Sequence, residues 1–146
     1  MKKNSIAFFN SDDIYPVSAD STLPFEQHRD IFYLSGIDQE ESILVLSPDN
    51  PNPDLREILF LKETSDHIAV WEGPKINKSQ ALKISGIKTV FWLNDLEKII
   101  NKLVNRCENI YFNKNEHYRA KIETETKIIS IILNCSSIII YFYFLE

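Results

Sequence analysis

The sequence predicts an α/β or α+β domain built on one mixed sheet, and three observations carry that prediction. Short β-branched and aromatic runs alternate with segments of helical periodicity. Two of the helical segments carry signals at their ends. The 146 residues are 44% hydrophobic and 25% charged, the balance of a single soluble domain with a core to bury.

Taken in order, Ser5–Asn10 reads as a first strand ended by Ser11-Asp12-Asp13, and residues 11–24 as a loop with two prolines. Asp30–Ile37 (DIFYLSGI) and Ser42–Leu46 (SILVL) read as strands around the acidic stretch Asp38–Glu41. On that reading Phe32 and Tyr33 point to opposite faces and at least one is core. Glu57–Lys62 and His67–Trp71 read as a hairpin about Glu63-Thr64-Ser65-Asp66. A helix follows, with Asn77 and Gln80 as a capping pair and Gly86 closing it. Lys88–Leu93 is a strand. Asn94–Cys107 is the best-marked helix, with Leu96, Ile99, Ile100, Leu103 and Val104 on one face and Asn94 and Glu97 placed to cap it. Asn109–Asn113 is a last strand before a helix opened by Asn115, with Tyr118 and Ile122 on one face. There is no internal repeat.

Sixteen Lys and Arg against twenty-one Asp and Glu leave a net charge of -5. That balance argues against a nucleic-acid or anionic-membrane partner. Cys107 and Cys135 are too few for a disulfide framework, and Ile6–Phe9 is too short for a signal-peptide core. A reduced, cytoplasmic compartment is the expected setting.

The end of the chain differs from the rest. Ile128–Leu145 holds no charged residue. Three readings compete for it: a buried final helix or strand, a tail anchor, or peptide from outside the parent reading frame. Asn134-Cys135-Ser136-Ser137 interrupts the apolar run and argues against a membrane span. The segment Ile138–Phe144 is β-branched, aromatic and free of proline, an aggregation hazard wherever it is exposed.

No reaction centre is visible in the spacing of reactive residues. His28, His67 and His117 are scattered, without a metal-binding pattern. The pairs Asp12-Asp13 and Glu40-Glu41 have hard-cation chemistry, but adjacent carboxylates on a strand diverge and in turns they are ordinarily solvated. Glycines at 36, 73 and 86 form no phosphate loop. Cys107 lies near a helix C-terminus, which disfavours a thiolate, and no nucleophile elbow surrounds any serine. An unrelated small enzyme using Cys107 or a histidine has no supporting motif.

The stretch Asp20–Leu46, DSTLPFEQHRDIFYLSGIDQEESILVL, is more specific. Pro24-Phe25, Asp30, Phe32-Tyr33, Gly36, Asp38–Glu41 and Ile43–Leu46 stand in a characteristic order, followed by EILFLKETSDHIAVWEG ending in Trp71-Glu72-Gly73. The pattern resembles the N-terminal domain of Xaa-Pro aminopeptidases, in the creatinase/prolidase ("pita-bread") superfamily. It runs from about Ser5 to Thr126, which implies a domain over residues 1–126, with one local departure at Glu26, where many relatives carry a basic residue. Residues 127–146 form an atypical uncharged tail, expected not to be native to the family.

The resemblance implies a mixed, roughly six-stranded sheet with helices on both faces. For the complete parent enzyme it implies release of an N-terminal residue that precedes proline. Two manganese ions, held by two Asp, one His and two Glu of a separate catalytic domain, would serve that reaction. For this chain it implies no cofactor and no catalytic residue, as in a truncated or frameshifted fragment. The implied duties are oligomerisation, with itself or with a full-length peptidase subunit, and lining of the active-site entrance. Peptide substrate would be met only through the missing domain. Trp71 and, after it, Asp30 are the residues carried over to that entrance, since proline rings stack on aromatic faces. The plain alternative is that Trp71 covers the sheet. A stand-alone interaction module, tail-anchored or not, is the other reading.

Overall fold

A computed structural model describes residues 1–19, 21–65, 67, 69–70, 73–113, 128–133 and 141–145. Its main feature is a six-stranded mixed sheet. The strands are β1 (Ser5–Asn10), β4 (Ile43–Leu46), β5 (Glu57–Leu61), β6 (Thr89–Trp92), β7 (Asn109–Asn113) and β8 (Tyr141–Leu145), in the order β6-β5-β4-β1-β7-β8. Only β4 runs against its neighbours, pairing antiparallel with both β1 and β5. The pairs β1/β7, β5/β6 and β7/β8 are parallel. The loop expected over 11–24 holds a small separate hairpin of β2 (Pro16–Ser18) and β3 (Ser21–Thr22).

Strand alternation divides the interior into two cores. Ile6 and Phe8 of β1 point to one face, with Ile43, Val45, Ile58, Phe60, Ile110 and Phe112. Ala7 and Phe9 point to the other, with Leu44, Leu59 and Leu61. This is the period-two pattern of a sheet covered on both sides. The rings of Phe8 and Phe112, opposite each other across β1 and β7, stack with centroids 5.4 Å apart.

Three helices with assigned ends cover those faces: α1 (Arg29–Ser35), α2 (Lys78–Ser85) and α3 (Leu96–Val104). The helix α3 buries Leu96, Ile100, Leu103 and Val104 in the first core, following the predicted stripe. The second core takes Ile31 from α1 and Ala81 from α2. Asn77 and Gln80 form the expected capping box, and Gly86 ends α2 with φ 74°.

Four expectations need correction. Asp30–Ile37 is not a strand: Arg29–Ser35 is helical, His28 caps it, and Gly36 closes it with φ 68°. Its buried residues are Ile31 and Ser35, one helical turn apart. Phe32 and Tyr33 are both exposed, Tyr33 at 89%, so neither is core. Among the described residues of 67–71 there is no hairpin partner for β5: β5 lies between β4 and β6, and Ala69 N donates to Ser65 O at 2.9 Å as in a helix. His67, Ala69 and Val70 accordingly have helical backbone. Finally, a 3-10 turn at Leu93–Asp95 precedes α3, and Asn94 Nδ2 donates to Glu63 Oε2 at 2.8 Å instead of capping with Glu97.

Within the tail, the described residues form a helical segment and a final strand. Residues 128–133 are helical, with Ile128, Ile131 and Ile132 in the first core. Tyr141–Leu145 adds β8 to the edge of β7. Among the described residues, no helix is long and apolar enough to cross a membrane. The helix expected from Asn115, with His117, Tyr118 and Ile122, lies outside the described residues, as does Cys135.

Candidate functional site

Residues of the stretch that carries the resemblance join a polar network at the C-terminal end of β1. Asn10 and Asn113, the last residues of β1 and β7, are almost fully buried side by side. Asn10 N donates to Asn113 Oδ1 and Asn113 Nδ2 returns a bond to Asn10 O, each at 3.2 Å. One step further, Ser11 N donates to Ser42 O at 2.9 Å and Ser42 N to Ser11 Oγ at 3.1 Å. These bonds occupy backbone groups that the end of a sheet would otherwise leave unpaired.

Gln27 ties the approach to α1 onto the same end. Its Nε2 lies 3.1 Å from Ile37 O, 2.9 Å from Gln39 O and 3.3 Å from Ser42 Oγ, while its Oε1 accepts from His28 N. His28 then caps α1: its Nδ1 accepts from Asp30 N at 3.3 Å. Asp30 carries Oδ2 to within 3.8 Å of the same nitrogen. Asp12, in the loop after β1, has its carboxyl pushed above the usual range by burial, which His28 opposes and Asp13 reinforces.

The acidic stretch 38–41 serves as a clamp. Glu40 is buried and paired with Lys75 Nζ, and Glu41 Oε1 meets Lys62 Nζ at 2.9 Å. Gln39 Oε1 accepts from Ile76 N at 2.7 Å. Glu40 is therefore not a solvated turn residue, because Lys75 neutralises it inside the protein. Lys75, Gln39 and Gln27 were not singled out in the sequence, since each partner lies in a different element and only the fold brings them together. Two atoms of this region, Asn10 Oδ1 and Gln39 Nε2, are buried without a hydrogen-bond partner.

Of the two residues expected at the entrance, Asp30 lies in the first turn of α1 with a side chain 47% exposed. Trp71 lies outside the described residues, and Gly73 beside it has φ 79°. The other tryptophan, Trp92 on β6, packs on the second core with Lys78 Nζ 4.6 Å from its ring centroid. At the opposite end of β1, a cavity of about 110 Å³ is lined by Asn4, Asp49, Arg106 and Cys107 among others. Burial raises the Cys107 thiol to about 11, and its Sγ donates to Leu103 O. Cys107 is thus a poor nucleophile. Among the described residues no three His, Cys, Asp or Glu side chains gather to hold a metal ion.

A family model described as "Aminopeptidase P, N-terminal domain" matches residues 1–111. This chain belongs to that family. The aminopeptidase P N-terminal domain seen here is 31% identical over 112 residues to intermediate cleaving peptidase 55 of Saccharomyces cerevisiae. That match covers 75% of this chain and 22% of the yeast protein. Xaa-Pro aminopeptidase 3 of Homo sapiens is 23% identical over 117 residues, covering 79% of this chain and 23% of the human protein. The chain thus spans less than a quarter of these relatives. Among solved structures, aminopeptidase PepP of Pseudomonas aeruginosa matches with TM-score 0.77 at 22% identity, over 92% of this chain and 29% of that one. A zinc-substituted Escherichia coli aminopeptidase P in complex with product matches with TM-score 0.75 at 21% identity and the same coverage. The aminopeptidase P N-terminal domain fold accounts for the mixed sheet with a helical layer on each face.

Proposed function

We propose that this chain works as the non-catalytic N-terminal domain of a manganese-dependent Xaa-Pro aminopeptidase, forming oligomer contacts and one wall of the active-site entrance. The observation that carries this reading is the family match over residues 1–111, which falls on the N-terminal domain of these peptidases. A second feature supports a contact role. Phe32, Tyr33 and Leu34 of α1 and Leu82 and Ile84 of α2 are exposed large apolar side chains on two helices that pack together. Exposed large apolar side chains gathered on neighbouring helices suit an interaction face.

Two assays test the proposal. Incubated with an Xaa-Pro peptide and manganese, the 146-residue protein is expected to release no N-terminal residue. Reproducible manganese-dependent turnover would overturn the reading. In sedimentation and co-purification, the protein is expected to self-associate or to bind a full-length peptidase of the family, and Tyr33→Ser to weaken that association. A monodisperse monomer that binds no such peptidase contradicts it. A self-contained interaction module is the second reading, favoured by the packing of Ile128, Ile131 and Ile132 into the same core as α3.

A further inference from the structure

We propose that the outer face of α1 and α2 docks on the same face of a second copy of this chain, α1 of each protomer lying on α2 of the other. The inference rests on the contact role proposed above and names the partner. The apolar side chains of α1 leave it no polar outer stripe. Consecutive helical positions are about 100° apart, so Phe32, Tyr33 and Leu34 occupy the side that the buried Ile31 and Ser35 do not. Their exposures are 51%, 89% and 42%. On α2, Leu82 and Ile84 are 43% and 50% exposed. The two sets adjoin, since a Cβ at Gly36, the C-cap of α1, would meet Ile84 Cγ2 at 3.3 Å.

Apolar surface alone does not choose an occupant; charge does. From Glu26 to Asp38, through α1, the sequence holds three carboxylates and one guanidinium. From Gly73 to Asn94, through α2, it holds four lysines and no carboxylate. Lys75 is already paired with Glu40, and Lys78 lies over the ring of Trp92. Lys83 and Lys88 are exposed, as is Asp38, and among the described residues none of the three has an ion-pair partner. The face is therefore acidic on its α1 half and basic on its α2 half.

That division selects between partners. An anionic lipid surface or an acidic peptide would suit Lys83 and Lys88 but be repelled by Asp30 and Asp38. A second copy related by a two-fold axis brings its basic half to the acidic half and its acidic half to the basic one. Both halves are then matched by the same residues, with the five apolar side chains between them.

The test is sedimentation of the full chain with two double variants, Lys83→Glu with Lys88→Glu, and Asp30→Lys with Asp38→Lys. Each alone is expected to weaken dimerisation at least about tenfold, because like charges then face each other. Mixing the two is expected to restore the wild-type affinity as a heterodimer, which unfolded variants could not do. Should circular dichroism show either variant unfolded, salt decides on the wild type. Its dimerisation is expected to weaken roughly threefold between about 0.05 and 0.5 M salt, and no dependence on salt overturns the charge match. Unchanged association of both variants, or a loss that mixing of folded variants does not restore, overturns the proposal. A wild-type monomer that binds a full-length peptidase of the family overturns the second copy and leaves the contact role standing. A monomer that binds none overturns both.

Discussion

Glu40 and Lys75 form an ion pair whose side chains are 9% and 15% exposed, and the cost of breaking it follows from that burial. Removing one partner strands the other charge in a low-dielectric site, whereas removing both leaves apolar or neutral groups that pack. Lys75→Met is expected to lower unfolding stability by about 3 kcal/mol, and Glu40→Gln with Lys75→Met to recover most of the loss. Urea denaturation of the two variants measures this; equal losses would show that packing rather than charge holds the clamp. The neighbouring pair of Glu41 with Lys62 is more exposed and is worth less than about 1 kcal/mol. Asp12 behaves in the opposite sense. Its folded pKa lies above its unfolded value because burial disfavours the charge, so the folded state binds more protons in that window. Stability contributed by Asp12 is therefore present at acid pH and lost as pH rises through the raised pKa. The stability of Asp12→Asn relative to wild type is expected to improve as pH rises from about 4 and to level off once the raised pKa is passed, and a gap independent of pH would refute the assignment. For Cys107, a thiol raised to about 11 leaves roughly one thiolate in a thousand at pH 8. In a Cys135→Ser background, Cys107 is expected to resist alkylation until denaturant is added.

At the scale of elements, α1 shows where a sequence misleads. DIFYLSGI has the composition of a strand, and so short a segment, with four consecutive apolar residues at its centre, does not reveal its period. The buried pair Ile31 and Ser35 is helical in spacing, but a serine in the core hides the stripe. Gly36 was the readable sign, for its φ of 68° is the left-handed stop of a helix. A Cβ at that position would also meet Ile84 Cγ2 of α2 at 3.3 Å. Gly36→Ala is expected to cost about 1–2 kcal/mol from backbone strain, with the tight contact to α2 adding to it. Gly86 has a similar φ of 74° with open space around it, so Gly86→Ala is expected to cost less. Thermal melts of the two variants side by side separate strain from crowding. By contrast, α3 and the capping box of α2 were legible, because their signals are local and agree with each other. The polar network was not: Gln27, Gln39 and Lys75 acquire meaning only when β1, β4 and the approach to α2 meet.

For the whole molecule, the mixed sheet followed from the alternation of elements and its two covered faces from the family resemblance, and the part played by the tail from neither. An uncharged run gives no period by which to separate a core helix from an anchor. The structure distinguishes them through Ile132, which is fully buried against the sheet. Ile132→Ala is expected to cost about 2–4 kcal/mol, the usual range for emptying a core position. No change in the denaturation midpoint would mean that the tail is not part of the folded domain. The order of the strands has a consequence for how this protein is made. The strand β1, synthesised before both of its partners, lies inside the sheet, and the neighbour that completes it pairs Ser5 with Asn109. A growing chain can offer β4 early, but Ile6 and Phe8 wait for Ile110 and Phe112 through most of translation. Until then β1 has one open hydrogen-bonding edge lined with apolar residues, which any passing strand could occupy. Slow or interrupted translation before residue 109 would therefore be the moment of greatest need for a chaperone.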